Sequence, residues 1–245
     1  MIDFSPGVEE EIPMTMQVGM VGTDGVLIAS DTRWNAEPRL INEPTGARVN
    51  FDSSKLLLDH NRGIAVSCAR NMETAKRVAQ KIISDLNDEE LISSPIAAIE
   101  EIGREILGSA GNRNQVHCLI ALSRPRIRLF QMQFSIVNGE MQPWCQEMEG
   151  SATVGDNTNN AIFWAQRYHS LRPIRELIPL AAHLVMSASK LNSGAISGLE
   201  IVVCNSSGLN LLSKQLICDL QLKAEEWDRE FGELIFRYGQ TVMKP

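Results

Sequence analysis

One short stretch near the start of the chain constrains the fold more than any other: two apolar runs separated by an Asp-Gly step. The runs cover residues 18–21 and 26–29, and Asp24-Gly25 lies between them. An Asp-Gly pair between two β-prone segments is a strong signal for a tight hairpin turn. In an antiparallel hairpin, the start of one strand lies beside the end of the other. The sequence therefore predicts that Thr15 and Asp31 are neighbours.

The hydroxyl of Thr15 is a candidate nucleophile, but a threonine hydroxyl needs a base to take its proton. The residue's own α-amine can serve if Thr15 is the first residue of the mature chain, since an α-amine has a pKa of roughly 7.7–8. Met14 precedes it, and an initiator methionine before a small residue is normally removed. Residues 1–14 are predicted to be an extension, a propeptide or a misassigned start, and residues 15–245 a single domain.

The stretch over residues 14–33 resembles the opening of a proteasome β-type subunit, including the bacterial proteasome homologues. The shared features are a threonine at the mature N-terminus, Val-Gly soon after it, Asp-Gly in the turn, and Ala-Ser-Asp-Thr-Arg at residues 29–33. The resemblance covers roughly residues 14–213. It implies an N-terminal-nucleophile hydrolase of the threonine peptidase family, with an α+β fold built as a four-layer αββα sandwich. Thr15, Asp31 and Arg33 fall on matching positions.

Two further positions extend the resemblance into a second predicted hairpin, over residues 55–69. Lys55 matches a lysine that lies next to the catalytic threonine in that family, where it would be paired with Asp31 and would ease proton transfer. Cys68 stands where the family usually has a glycine whose backbone N–H faces the developing oxyanion. A cysteine can still supply that N–H. The implied catalytic set is thus Thr15, Asp31 and Lys55, with the Cys68 N–H as oxyanion donor.

The outer positions of the implied site depart from the family pattern. Asp156 stands where a serine is usual, and it could accept a hydrogen bond from the α-amine or simply cap a helix. In the loop that usually carries an aspartate and a serine, the nearest matches are Asn192 or Ser193, and Ser197 if a gap is allowed; the aspartate is missing. The residues that fall where the family lines its substrate pocket are Trp34, Asn35, Val66 and Arg70. These departures put activity in question more than fold.

Composition excludes several other classes of protein. The net charge is −7, so there is no basic surface for nucleic acid. No apolar run is long enough to span a membrane, and residues 1–13 lack the pattern of a signal peptide. The five cysteines are odd in number and scattered, which favours reduced thiols in a cytoplasmic protein. We see no metal-ligand spacing and expect no cofactor.

The hydrophobic pattern predicts strands, two helices, more strands, two helices, strands and a terminal helix. Helices are expected over residues 71–86, from residue 95 to about 107, from about 159, over 173–190 and over 220–238. The segments 34–54 and 139–150 are expected to be irregular because they are polar and rich in turn residues.

The resulting hypothesis is a threonine-type endopeptidase subunit that acts on polypeptides within a homo-oligomeric stacked ring. An ATP-dependent unfoldase partner is compatible with it. Two alternatives stay open: a catalytically silent ring or scaffold subunit, and a small-molecule amidohydrolase on the same fold.

Overall fold

The computed structural model describes residues 15–36, 49–110, 115–137, 139–155, 160–192 and 195–242. The strands are β1 (Met16–Val21), β2 (Gly25–Ser30), β3 (Arg33–Ala36), β4 (Val49–Asp52), β5 (Leu56–Asp59), β6 (Ile64–Arg70), β7 (Val116–Leu122), β8 (Arg128–Val137), β9 (Glu140–Met148), β10 (Ser151–Gly155), β11 (Glu200–Asn205) and β12 (Gly208–Leu211). The helices are α1 (Met72–Asp85), α2 (Asp88–Ser93), α3 (Pro95–Ala110), α4 (Asn160–Tyr168), α5 (Ile174–Leu191) and α6 (Lys214–Val242).

The strands form two five-stranded antiparallel sheets and one short ribbon. The first sheet has the order β10-β1-β2-β11-β12, and the second has the order β5-β6-β7-β8-β9. Strands β3 and β4 pair only with each other. Most neighbours in the second sheet are also neighbours along the chain, whereas the first sheet gathers strands from both ends of the sequence. The site-bearing strand β1 therefore has one partner next to it in the chain, β2, and one from much later in the chain, β10.

The predicted hairpin is confirmed. Strands β1 and β2 pair antiparallel from Gln17 opposite Ser30 to Val21 opposite Val26, and the Gly22 N–H donates to the Gly25 carbonyl across the turn. This register places the start of β1 beside the residue that follows β2, as the sequence predicted.

Successive residues of β1 alternate between two buried environments. On β1, Met16, Val18 and Met20 pack with helix α5, whereas Gly19 faces the second sheet, where an added Cβ would lie 2.8 Å from Leu129. A strand with both faces buried is expected when a sheet is covered on each side.

Three buried clusters follow from this alternation. One joins the second sheet to α1 and α3, one joins the first sheet to α4, α5 and α6, and one fills the space between the sheets. The coarse prediction of mixed helices and antiparallel sheets is confirmed.

Two segments that we expected to be irregular contain strands. Within residues 34–54, the described residues form β3 and β4, and residues 140–148 form the edge strand β9. Strand β9 alternates half-buried and exposed residues around Pro143. An edge strand tolerates such a proline.

The short helix α2 was not predicted, although Asn87 and Glu90 form a capping box at its start. Helix α6 begins at Lys214, earlier than the predicted residue 220. None of the described helices has the length and apolar character required to cross a membrane.

Candidate active site

The structure brings together the three residues of the predicted catalytic set. The Lys55 Nζ lies 2.5 Å from the Thr15 Oγ1 and donates to both Asp31 carboxylate oxygens, at 2.8 and 2.9 Å. Lys55 and Asp31 are completely buried, and Thr15 is 5% exposed. A hydroxyl in contact with a buried amine is in position to pass its proton to that amine.

The backbone of the hairpin fixes the carboxylate of Asp31. Its Oδ1 accepts from the Met16 N–H at 3.0 Å, and its Oδ2 accepts from the Arg33 N–H at 3.2 Å. The Arg33 side chain turns away to Asp52 on β4, with 3.2 Å between Nε and Oδ1. Arg33 therefore supports the site through its backbone and through the β3–β4 ribbon, as a neighbour of Asp31.

Lys55 is positioned by the residue opposite it on β6. Lys55 lies one residue before β5, and its carbonyl accepts from the Cys68 N–H at 3.0 Å. The Nζ lies 5.1 Å from the centre of the Trp34 ring, and Lys76 lies 5.2 Å from the same ring. A cation at this distance from an indole face is stabilised by the ring's quadrupole.

Burial changes the acid–base properties of both charged residues. Burial lowers the pKa of Lys55 below its ordinary value, and the Asp31 charge opposes this shift. Burial raises the pKa of Asp31, while the charge and hydrogen bonds of Lys55 oppose that shift. Desolvation disfavours the charged form of each group. The neutral form of Lys55, which can accept a proton, is therefore more populated than in an exposed lysine.

The predicted oxyanion role of Cys68 needs correction. Its backbone N–H already donates to the Lys55 carbonyl, so in this structure it is engaged and not open to an oxyanion. The Cys68 side chain belongs to the buried cluster beneath α1 and α3, and burial raises the pKa of its thiol to about 12. In the structure, Cys68 contacts Lys55 through this backbone hydrogen bond and through its Sγ, which lies 3.5 Å from the Lys55 carbonyl oxygen.

Arg70, at the end of β6, has an uncommon backbone conformation near the site. Its φ is 78°, a value that costs energy for a residue with a side chain. The guanidinium donates to the Gly155 carbonyl at 3.4 Å. A Cβ at Gly155 would lie 2.1 Å from the Thr15 carbonyl oxygen, so only glycine allows this close approach. Arg70 thus lies next to the strand pair that carries Thr15.

Of the remaining predicted site residues, the structure describes the side chains of Trp34, Val66 and Asn192. Val66 and Trp34 are buried in the cluster beneath α1 and α3, so neither lines an open substrate groove, although Trp34 contacts Lys55. The Asn192 N–H donates to the Ala188 carbonyl at the end of α5, and the Asn192 carbonyl accepts from the Ala195 and Ile196 N–H groups. Asp156, Ser193, the Asn35 side chain and residues 1–14 lie outside the described residues.

Gln17 is a polar residue near the site that sequence reasoning missed. It is fully buried between the sheets, where its Nε2 donates to the Cys68 carbonyl and its Oε1 accepts from the Ser67 hydroxyl, both at 2.8 Å. An amide two residues after Thr15 in an otherwise apolar strand was the available signal. Among the described residues, no group of three or more His, Cys, Asp or Glu side chains could hold a metal ion.

No protein-family model matches the sequence, and no curated protein matches it by sequence. Solved structures do match the fold. An Anbu (ancestral beta-subunit) from Yersinia bercovieri has a TM-score of 0.67 at 14% identity, over 94% of this chain and 98% of that one. The structure described as the helical assembly of the Anbu complex from Pseudomonas aeruginosa has a TM-score of 0.65 at 16% identity, over 91% and 96%.

A third match, Anbu from Hyphomicrobium sp. strain MC1, has a TM-score of 0.62 at 18% identity, over 89% of this chain and 97% of that one. The expected assignment to the proteasome β-type subunits is wrong, because the structures that the fold resembles are Anbu proteins. The motif over residues 14–33 was too short to separate the two groups. The chain has an Anbu-like fold.

Proposed function

We propose that the chain is a self-assembling Anbu-like subunit, and that Thr15 makes it an amide hydrolase once its α-amine is free. Assembly is supported by the helical assembly described for the Pseudomonas aeruginosa Anbu complex. It is also supported by large exposed apolar residues on helices α4 and α6. Phe163, Phe231 and Leu234 are each more than half exposed, and exposed apolar patches mark interaction surfaces. The three buried clusters suit a four-layer αββα arrangement.

The contact between the Lys55 Nζ and the Thr15 Oγ1 carries the proposal of hydrolysis. The Thr15 oxygen attacks the carbonyl carbon of the scissile amide while Lys55, in its neutral form, accepts the hydroxyl proton. Lys55 then passes this proton to the free α-amine, the carbon–nitrogen bond breaks, and the α-ammonium gives the proton to the leaving amine. Water hydrolyses the resulting ester and restores the Thr15 hydroxyl. Polypeptides are the proposed substrate, and no cofactor takes part in these steps.

A catalytically silent assembly subunit is the second candidate. Two observations favour it: the engaged Cys68 N–H and Asn192 in place of a loop aspartate. In addition, Met14 precedes Thr15, and unless residues 1–14 are removed the acylated nitrogen of Thr15 cannot act as a base. A small-molecule amidohydrolase remains the alternative with a different substrate. The described residues identify no unfoldase partner.

The decisive experiment measures the mass of the purified full-length protein, its particle size and its hydrolysis of fluorogenic peptides. We expect a chain that begins at Thr15, a large particle in light scattering, and peptide hydrolysis that Thr15→Ala lowers by about 10³-fold or more. Thr15→Ser should keep part of the activity. Thr23→Ala, an exposed threonine in the adjacent turn, is the matched control and should behave as the parent.

Two results would contradict parts of the proposal. A large particle that retains residues 1–14 and hydrolyses no peptide would support the silent subunit. Peptide hydrolysis by Thr15→Ala at the parent rate would exclude Thr15 as nucleophile.

A further inference from the structure

Gln17 occupies an unusual position for an amide side chain. It lies on β1 two residues after Thr15, and residues two apart on a strand share a face. That face looks into the space between the two sheets, where the surrounding cluster is apolar. Burying an amide there costs free energy unless its donor and acceptor are both satisfied.

Both ends of the Gln17 amide are satisfied by consecutive residues of the opposite sheet. The Nε2 donates to the Cys68 carbonyl at 2.8 Å, and the Oε1 accepts from the Ser67 hydroxyl at 2.8 Å. The Ser67 oxygen also accepts from the Leu119 N–H at 3.3 Å. One side chain of the first sheet is thereby tied to β6 and, through Ser67, to β7 of the second.

The same segment of β6 holds Lys55. The Cys68 N–H donates to the Lys55 carbonyl at 3.0 Å, and the Cys68 Sγ lies 3.5 Å from the same oxygen. The peptide groups on both sides of Cys68 are therefore fixed, one by Gln17 and the other by Lys55. These hydrogen bonds form a closed circuit. The backbone joins Thr15 to Gln17, Gln17 bonds Cys68, Cys68 bonds Lys55, and the Lys55 amine contacts the Thr15 hydroxyl.

We propose that Gln17 is a positioning residue that sets the distance between the Lys55 amine and the Thr15 hydroxyl by clamping β1 to β6. The inference rests on the proposed function for its chemical meaning, but the position of Lys55 can be measured without activity. A glutamine is suited to the role because one side chain both donates and accepts. Met has a similar size but cannot donate a hydrogen bond and accepts only weakly. An ionised Glu also has a similar size, but it can only accept.

The primary test follows the titration of Lys55 in the full-length protein by NMR with ¹³Cε-labelled lysine. The chain has seven lysines, and a Lys55→Arg variant assigns the signal. In Gln17→Met we expect the titration midpoint of Lys55 to rise toward that of an ordinary lysine, because the amine is no longer held in the dry site. Gln17→Glu keeps the shape, puts a carboxylate oxygen against the Cys68 carbonyl, and should shift the midpoint in the same direction.

Ser123→Ala is the matched control. The Ser123 hydroxyl donates to the Gly63 carbonyl at 3.3 Å and lies near the Cys204 thiol of the first sheet, so this variant also removes a buried hydrogen bond. It does so at the opposite end of the first sheet, because Cys204 pairs with Val26 whereas Thr15 lies at the Ser30 end. The control should lose stability with no change in the Lys55 midpoint.

The second readout is acylation of Thr15 by a β-lactone, followed by intact mass. If the purified chain begins at Thr15, we expect Gln17→Met to acylate about tenfold to a hundredfold more slowly than Ser123→Ala, since small displacements of a catalytic group are costly. If the parent itself is not acylated, the proposed hydrolysis fails and the Lys55 titration alone decides the role of Gln17. An unchanged Lys55 midpoint in a folded Gln17→Met or Gln17→Glu protein would overturn the inference.

Discussion

At the scale of single residues, the site depends on a buried pair of opposite charges. Lys55 and Asp31 have no exposed surface, and their nearest nitrogen–oxygen distance is 2.8 Å. Taking two charges out of water costs several kcal/mol each, and mutual attraction returns that cost only when the geometry and the remaining hydrogen bonds are good. Here the Met16 and Arg33 N–H groups supply those additional bonds to Asp31. Such a pair contributes little net stability, but removing either partner alone strongly lowers the free energy of unfolding.

We predict that Lys55→Met lowers the free energy of unfolding at pH 7 by about 3–5 kcal/mol, because it leaves the Asp31 charge buried without a partner. Adding Asp31→Asn should recover about half of that loss or more.

The loss of unfolding free energy in Lys55→Met should be smaller at pH 4 than at pH 7. Without Lys55, the pKa of Asp31 rises further, and a folded-state pKa above the unfolded value adds stability as the pH falls. Urea unfolding of both variants at the two pH values checks this. A double variant whose loss equals the sum of the single losses would contradict it.

Arg70 provides a second prediction at this scale, from its φ of 78°. We expect Arg70→Gly to be more stable than Arg70→Ala by about 1 kcal/mol, because glycine adopts this conformation without steric cost. Both variants lose the guanidinium, so the comparison isolates the backbone. Thermal or urea unfolding measures the difference. The same pair of substitutions at Arg172, which is not among the positive-φ residues described, should give the opposite order.

At the scale of secondary-structure elements, β7 carries a half-buried histidine, His117, near Arg70. Burial and, to a smaller extent, the Arg70 charge lower the pKa of His117 to about 4. Between pH 4 and about 6.5 the unfolded chain therefore binds more protons at His117 than the folded protein does.

The free energy of unfolding should consequently fall as the pH drops through that range, by up to about 1.4 kcal/mol per pH unit from this residue. We predict that His117→Gln flattens this dependence in urea unfolding measured from pH 4 to pH 7. His60→Gln, at an exposed turn position, is the control and should keep the slope of the parent. An equal slope in the parent and in His117→Gln would contradict the prediction.

The elements also show what the sequence could and could not specify. The β1–β2 hairpin was predictable because its register depends on a local turn, and this placed Asp31 beside Thr15. Strand β9 was not, because an edge strand with one half-buried face has weak alternation, and its register depends on pairing with β8. The hydrogen-bond partner of the Cys68 N–H, which was expected to face the oxyanion, was not predictable from the sequence for a related reason. A resemblance assigns a position, but which partner takes a backbone N–H depends on how two strands pair.

At the scale of the whole molecule, helices α4 and α6 expose an aromatic cluster that consists of Phe163, Trp164, Tyr168 and Phe231. Trp164 stacks on Tyr168 with 5.2 Å between ring centres, and it meets Phe231 edge-on at 6.1 Å. The cluster orders these side chains but leaves Phe163, Tyr168 and Phe231 at least half exposed. Full burial of one such side chain contributes about 1.5–3 kcal/mol. A second copy that covered the cluster would gain a large part of this energy.

The proposed assembly gives the last prediction. Phe231→Ser together with Leu234→Ser should lower the particle mass in light scattering, because both residues are exposed apolar groups on α6 and contribute little to the monomer core. The free energy of unfolding of the dissociated subunit should change by less than about 1 kcal/mol.

Ile136→Ser is the control. It removes an equally exposed apolar residue from β8, on the other sheet, and should leave the mass unchanged. A parent-sized particle from the double variant would place the interface elsewhere. An equal loss of mass in the control would mean that assembly does not depend on this cluster in particular.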